Sequence, residues 1–349
     1  MRAVRYESVG NPVIREMPEI PLGQGDLRLK VLASGVCPED LVIHRGGWGA
    51  QFPLTPGHEM VGEVIELGRG GGKFSIGDLV VVDTAIPCGW CTMCQHGRAT
   101  QCVRLRGYGL SLPGSAAEHI VVEAARAVAI GDMGVDTAVL AEPLACAVHA
   151  LDVLAMRAGS SVLVIGLGPS AQILSQLLAR SGASSVTVAA PSPHNLNVAL
   201  GNGATHAVIT DQFDFQASFA ELLDSAPGGF DVVVDATGST AEPTDCLPLV
   251  KSGGTFFIYG MAEEDALVSI HPYEVFRREL RIAAAFSQTN CVARSVDLLA
   301  AGRVVADGLI THRFRLDQYP RAIEAIQDPL CLKAVIYPHL HEGAGNEQF

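Results

Sequence analysis

The chain has 349 residues, 48% apolar and 17% charged, with mean hydropathy +0.29. This excludes a disordered polar tract and, at roughly 150 residues per domain, suggests about two domains. A formal charge of −13, with 24 basic residues in no dense run, argues against nucleic acid, whose phosphates require clustered Lys and Arg.

No run of about 18 uninterrupted apolar residues exists, and Met1–Gly10 lacks an apolar signal core. The chain is therefore read as soluble and cytoplasmic, without a membrane partner.

Up to residue 150 the sequence is rich in Gly and Pro. Short β-type runs at Leu27–Leu32, Val61–Leu67, Leu79–Val82 and His119–Val122 are separated by turns, the pattern of a small irregular β domain. The texture changes near Ser160. Ser161–Ile165 reads as a buried strand, and Ser170–Ser181 carries Ile173, Leu174, Leu177 and Leu178 at helical spacing. Further strands are expected at Ser185–Ala189, Ala207–Ile209, Phe230–Asp235, Thr255–Tyr259 and Arg281–Phe286, with helical stretches between them. Such alternation implies an α/β fold with a doubly wound parallel sheet. A helix at Val292–Ala301 and a strand at Lys333–Tyr337 follow. The Gly-rich polar tail from His339 is expected to fray.

Nine cysteines are present. Four lie close together as Cys88-x2-Cys91-x2-Cys94-x7-Cys102. Four thiolates surround Zn²⁺ tetrahedrally and leave no open position, so this spacing points to a structural zinc lobe. Gly89 and Gly97 permit the turns that bring the sulfurs together. Cys146, Cys246, Cys291 and Cys331 are read as reduced core thiols, and His149 as a helix-packing residue.

Gly166-Leu167-Gly168-Pro169-Ser170-Ala171 follows a strand and opens a helix, and so matches the dinucleotide fingerprint G-x-G-x-x-G/A. The glycines let backbone approach a pyrophosphate at the positive helix terminus. Some 20 residues on, where an acid would hold the ribose of NAD, the chain reads Val188-Ala189-Ala190-Pro191-Ser192-Pro193-His194-Asn195. No acid repels a 2′-phosphate there, and Ser192, His194 and Asn195 are candidates to bond it. No Arg is present to clamp it. NADP is placed narrowly ahead of NAD.

Three other segments carry metal-ligand types: Cys37 in Gly35–Leu41, His58 and Glu59 in Gly57–Gly62, and Glu142 in Ala141–Leu144. Thiolate, imidazole and carboxylate are the mixed ligands of a catalytic zinc. Spacing alone does not link them.

Together with the four-cysteine lobe, the Gly166–Ala171 turn, Asp231–Gly238, Ser287–Thr289 and Lys333–Pro338, these segments resemble the zinc-dependent medium-chain dehydrogenases over almost the whole chain. The resemblance implies a Rossmann domain at 154–287. It also implies a GroES-like catalytic domain, discontinuous over 1–153 and 288–349. It makes Cys37 and His58 ligands of a catalytic zinc, with Glu142 where some members carry Cys and others Glu. The Glu form is similar to the polyol and threonine dehydrogenase branch. Glu59 is implied either as a direct ligand or as an acid that orients one. Homodimers or homotetramers are usual in the family.

Two departures stand out. Most relatives carry Ser or Thr two residues after the ligand Cys, where this chain has Glu39, a candidate general base or additional ligand, its alternative being a carboxylate that points away from the chemistry. Many also carry His five residues after that Cys, where this chain has Val42; His44 is the candidate proton shuttle to solvent, its alternative being a plain loop histidine.

The expected reaction interconverts a secondary alcohol (a polyol, sugar alcohol or cyclitol) and its ketone. It uses two zinc ions per chain, one catalytic and one structural, and NADP or NAD. The alternatives are a reductase of an unusual carbonyl or iminium intermediate, or a catalytically silent dinucleotide-binding relative.

Overall fold

The computed structural model describes residues 1–47, 50–211, 214–239 and 246–340. The expectation for the tail beyond Leu340 lies outside them. The chain divides into two compact units. One comprises Met1–Ala145, Gln288–Ala301 and the stretch from Ile310; the other comprises Cys146–Ser287 and Gly302–Leu309.

The first unit is built on one strand of 11 residues, Asp26–Val36. Leu27, Leu29, Val31 and Ala33 are fully buried, the period-two pattern that commits one face of a strand to a core. Glu59–Leu67, His119–Glu123 and Lys333–Tyr337 all pair with it antiparallel. Leu79–Val82 and Ala127–Ala129 continue the sheet on one side, and Ile310–Arg315 closes the other. Gly35 pairs with Glu59 on one flank and Val335 on the other. A Cβ at 35 would fall on the Glu59 carboxylate, so this strand must carry glycine there for Glu59 to lie across it.

The second unit is a six-stranded, all-parallel sheet. Its spatial order is His206–Ile209, Ser185–Ala190, Ser161–Ile165, Phe230–Asp235, Val250–Ile258 and Arg281–Ala284. Numbered along the chain, that order is 3-2-1-4-5-6, the doubly wound arrangement with its switch point beside the first strand. The strand cores are near-continuous apolar runs; Val162, Leu163 and Val164 have no exposed surface, as a sheet covered on both faces requires.

The chain re-enters the first unit at Gln288, whose side-chain amide donates to Asp83 Oδ1 at 2.9 Å. The Asn290 N–H reaches Oδ2 of the same carboxylate at 3.2 Å. Among the described residues one helical stretch, Val135–Leu154, is long and apolar enough to cross a membrane, but 61% of its most apolar window is buried in the fold.

Candidate functional site

Cys37 ends the central strand and caps the short helix Pro38–His44, with its backbone N–H donating to Asp40 Oδ2 at 3.0 Å. Antiparallel pairing of Gly35 with Glu59 brings the next strand's entry alongside. As a result Cys37 Sγ lies 3.1 Å from His58 Nε2. Donor atoms of Cys37, His58 and Glu59 all fall within 4.8 Å of one another. Two further carboxylates flank the imidazole: Glu39 Oε2 is 3.8 Å from Nε2, and Asp40 Oδ1 is 3.9 Å from Nδ1. Lys333, from the third strand of the trio, forms an ion pair with Glu59, both side chains almost fully buried.

The electrostatics match a site built for a cation. Burial alone would lower His58, yet the Cys37 sulfur, Glu39 and Asp40 outweigh it and hold the imidazole well above its usual range. Burial pushes the Cys37 thiol up to about 11 and Asp40 to about 6. Glu142, in the first turn of Ala141–Leu154, rises to about 7, first through burial and then through the charges of Glu59 and Glu39, while His58 and Lys333 pull it down. It therefore shares the field of the cluster, although the tight triad is Cys37, His58 and Glu59. Buried donors that resist ionising without a positive partner, together with a thiol, an imidazole and a carboxylate in contact, fit Zn²⁺.

His44 does not join Glu39. It stands five residues on along the helix, about 140° round the axis, and its Nδ1 pairs with the Tyr6 hydroxyl at 2.9 Å. Sequence reasoning missed two members of the constellation, Asp40 and Lys333. The available signal for Lys333 was a lone charge inside the apolar run Cys331–Tyr337. For Asp40 it was a second acid beside Glu39.

The four cysteines of the lobe also converge. Sγ separations of 4.0 Å (Cys88–Cys94), 3.5 Å (Cys91–Cys94) and 3.9 Å (Cys91–Cys102) bracket the ~3.8 Å edge of a tetrahedron with Zn–S of about 2.3 Å. Backbone N–H groups of Cys91 and Arg104 point at Cys88 Sγ and Cys102 Sγ. The N–H of Cys94 leads in lowering Cys91 to about 6, whereas burial leads in raising Cys94 to about 12.

At the dinucleotide turn, Gly166 has φ +83° and a Cβ there would meet the Ala236 carbonyl carbon at 3.0 Å; only glycine passes the switch point at that distance. Gly168 caps the helix Pro169–Arg180, with Pro169 in its first position and Ala171 buried against the sheet. This helix start lacks acidic residues in its first turn. Ser192 caps the next helix, Pro193–Gly201, its hydroxyl accepting from the Asn195 N–H. His194 is exposed. Asn195 is 9% exposed and turns inward, its amide donating to Leu167 O at 3.2 Å. The amide nitrogen is therefore already engaged within the fold.

Residues 23–132 match the alcohol dehydrogenase GroES-like domain, and residues 154–301 match the zinc-binding dehydrogenase family. The chain belongs to the zinc-binding alcohol dehydrogenase family and is an oxidoreductase of that class. It is similar to D-arabinitol dehydrogenase 1 of Uromyces fabae, 36% identical over 340 residues and covering 97% of both chains. D-Altritol 5-dehydrogenase of Agrobacterium fabrum (strain C58) is 35% identical over 340 residues, covering 95% of this chain and 98% of that one. Among solved structures, a protein described as a zinc-binding dehydrogenase from Sinorhizobium meliloti 1021 bound to NADP matches with a TM-score of 0.90. It is 31% identical, with 97% of this chain and 99% of that chain covered.

Proposed function

We propose that the chain interconverts a secondary alcohol of the polyol class and its ketone, using zinc and NADP or NAD. The observation that carries the reading is the contact between Cys37 Sγ and His58 Nε2, with the Glu59 and Glu39 carboxylates beside it. The polyol names of two relatives similar over nearly their whole length support the substrate class, and the NADP-bound neighbour supports the cofactor.

Cys37 and His58 would hold the catalytic metal, with Glu142 or Glu59 as the carboxylate ligand, and Cys88, Cys91, Cys94 and Cys102 the structural one. When bound, zinc polarises the alcohol oxygen as a Lewis acid and the nicotinamide accepts hydride. The chain's own residues do the rest. Asp40 Oδ1 lies 3.9 Å from the far nitrogen of His58, too far for a hydrogen bond, and acts on the ring through its charge. Lys333 anchors the Glu59 carboxylate in the space left by Gly35. Glu39, partly exposed beside His58, accepts the substrate hydroxyl proton. His44 and Tyr6, bonded to each other, are the second candidate route for that proton. Gly168, Ser170 and Ala171 offer backbone N–H groups to the pyrophosphate; Pro169, which has none, sets the helix start, and the Gly166 N–H is held by Ala189 O while its positive φ shapes the turn. Ser192 and exposed His194 are the groups on hand for a 2′-phosphate.

In the second unit the edge strand Arg281–Ala284 carries exposed Ile282, and exposed Leu267, Tyr273 and Phe276 precede it in the chain. This supports a homo-oligomer formed edge to edge. A reducing cytoplasm suits a chain whose nine cysteines form no disulfide. The reading is tested by assaying purified protein against a panel of pentitols and hexitols with each cofactor. Reduced nicotinamide formed with at least one polyol is expected; none formed with any polyol would overturn it.

A further inference from the structure

We propose that Asn195 and Gln172 are positioning residues that brace the Gly166–Ala171 turn, so that Asn195 governs affinity for any dinucleotide rather than selectivity for a 2′-phosphate. This rests on the turn being the dinucleotide site.

The brace is a closed set of bonds around the turn. The Asn195 side-chain amide donates to Leu167 O, the carbonyl between the two glycines. The Gln172 side-chain amide donates to Asn195 O at 2.7 Å. The Gln172 backbone N–H donates to Gly168 O at 3.0 Å. The turn, the first helix after it and the start of the next helix are thereby locked together. Gln172 is fully buried and Asn195 nearly so, which shields both amide–carbonyl bonds from competing water. The opposite amide orientation of Asn195 would set its oxygen against Leu167 O, so the neighbouring carbonyl fixes the orientation.

The need for an outside restraint follows from the sequence. Glycine at 166 and 168 frees the backbone to approach phosphate, and that same freedom disorders the turn unless something holds it. A turn held in its binding shape avoids the ordering cost on association. The residue that appeared suited to touch the ribose end acts one step away, through Leu167.

Binding of NADP, NAD and ADP to purified protein, followed by calorimetry, tests this with Asn195→Ala and Gln172→Met. Losing one buried hydrogen bond is expected to weaken all three ligands about tenfold, by the same factor, in either variant. The NADP-to-NAD affinity ratio should stay at the wild-type value. Weakening confined to NADP would overturn the inference and make Asn195 a phosphate reader. A lowered melting temperature with unchanged affinities would overturn it in favour of a purely structural role. If Asn195→Ala fails to fold, Gln172→Met carries the test from the other arm. Wild-type protein that binds none of the ligands would instead defeat the reading of the turn itself.

Discussion

At the scale of single residues, the proton path turns on Glu39. Its carboxylate lies 3.8 Å from His58 Nε2, at the position where the resemblance leads one to expect a hydroxyl. Glu39→Gln keeps the size and removes the base, so kcat should fall by about 10²–10⁴-fold and the pH–rate profile should lose one limb. A profile of unchanged shape would remove Glu39 from the path.

A second residue-scale prediction concerns Asp231. Burial would raise its carboxyl, but the Ser161 N–H and hydroxyl and Lys251 outweigh that and hold it below the usual range. A lowered folded-state value means a stabilising contribution that is full above the unfolded value of about 3.9 and fades as pH falls through the folded one. Asp231→Asn should therefore lower the melting temperature at neutral pH, with the deficit shrinking below about pH 4. A deficit constant with pH would contradict this.

The spacing of the four lobe cysteines announced a cluster, and their sulfurs converge; Cys37 and His58 drew notice only through the resemblance that links them. Asp40 and Lys333 did not, because common charged residues acquire a role only when strand pairing buries them beside a partner.

At the scale of elements, the proposed structural zinc would stand in for a core in the cysteine lobe, whose short helices Thr92–Gln95 and Ala99–Gln101 bury none of their residues. Replacing Cys91 and Cys94 together by Ala should reduce bound zinc from two ions per chain to one, read by metal analysis, and loosen this segment to proteolysis. Two retained ions would contradict the assignment.

Strands with buried alternation or continuous apolar runs were legible within a residue or two, as at Leu79–Val82, Ser161–Ile165, Phe230–Asp235 and Lys333–Tyr337. Ile310–Arg315 was not, because its run Ile-Thr-His-Arg-Phe-Arg is largely polar and half-buried; its pairing with Lys333–Tyr337, not its own pattern, makes it a strand. The same holds for the N-terminal hairpin Arg2–Tyr6 and Pro12–Glu16, which is short and rich in charge. Val250–Ile258 begins earlier than Thr255 because Gly253 and Gly254 hide a register shift against Phe230–Asp235.

For the whole molecule, composition argued against nucleic acid as a partner, and alternation along the chain announced a parallel sheet. Neither reveals how copies assemble. The exposed apolar side chains that precede the edge strand in sequence, Phe276 at 79% exposure and Leu267 at 90%, are an unusual surface for a chain of charge −13. Phe276→Glu should shift the mass measured by light scattering toward the monomer. A wild-type monomer would end the oligomer proposal.

The central claim, that Cys37 anchors a metal on which polyol oxidation depends, is tested most directly by comparing zinc-loaded wild-type and Cys37→Ala protein in one assay of reduced-nicotinamide formation with polyols. The variant should remain folded and lose its turnover, because on this account the thiolate is one of the ligands of the open site. Turnover at the wild-type rate in Cys37→Ala would contradict the account.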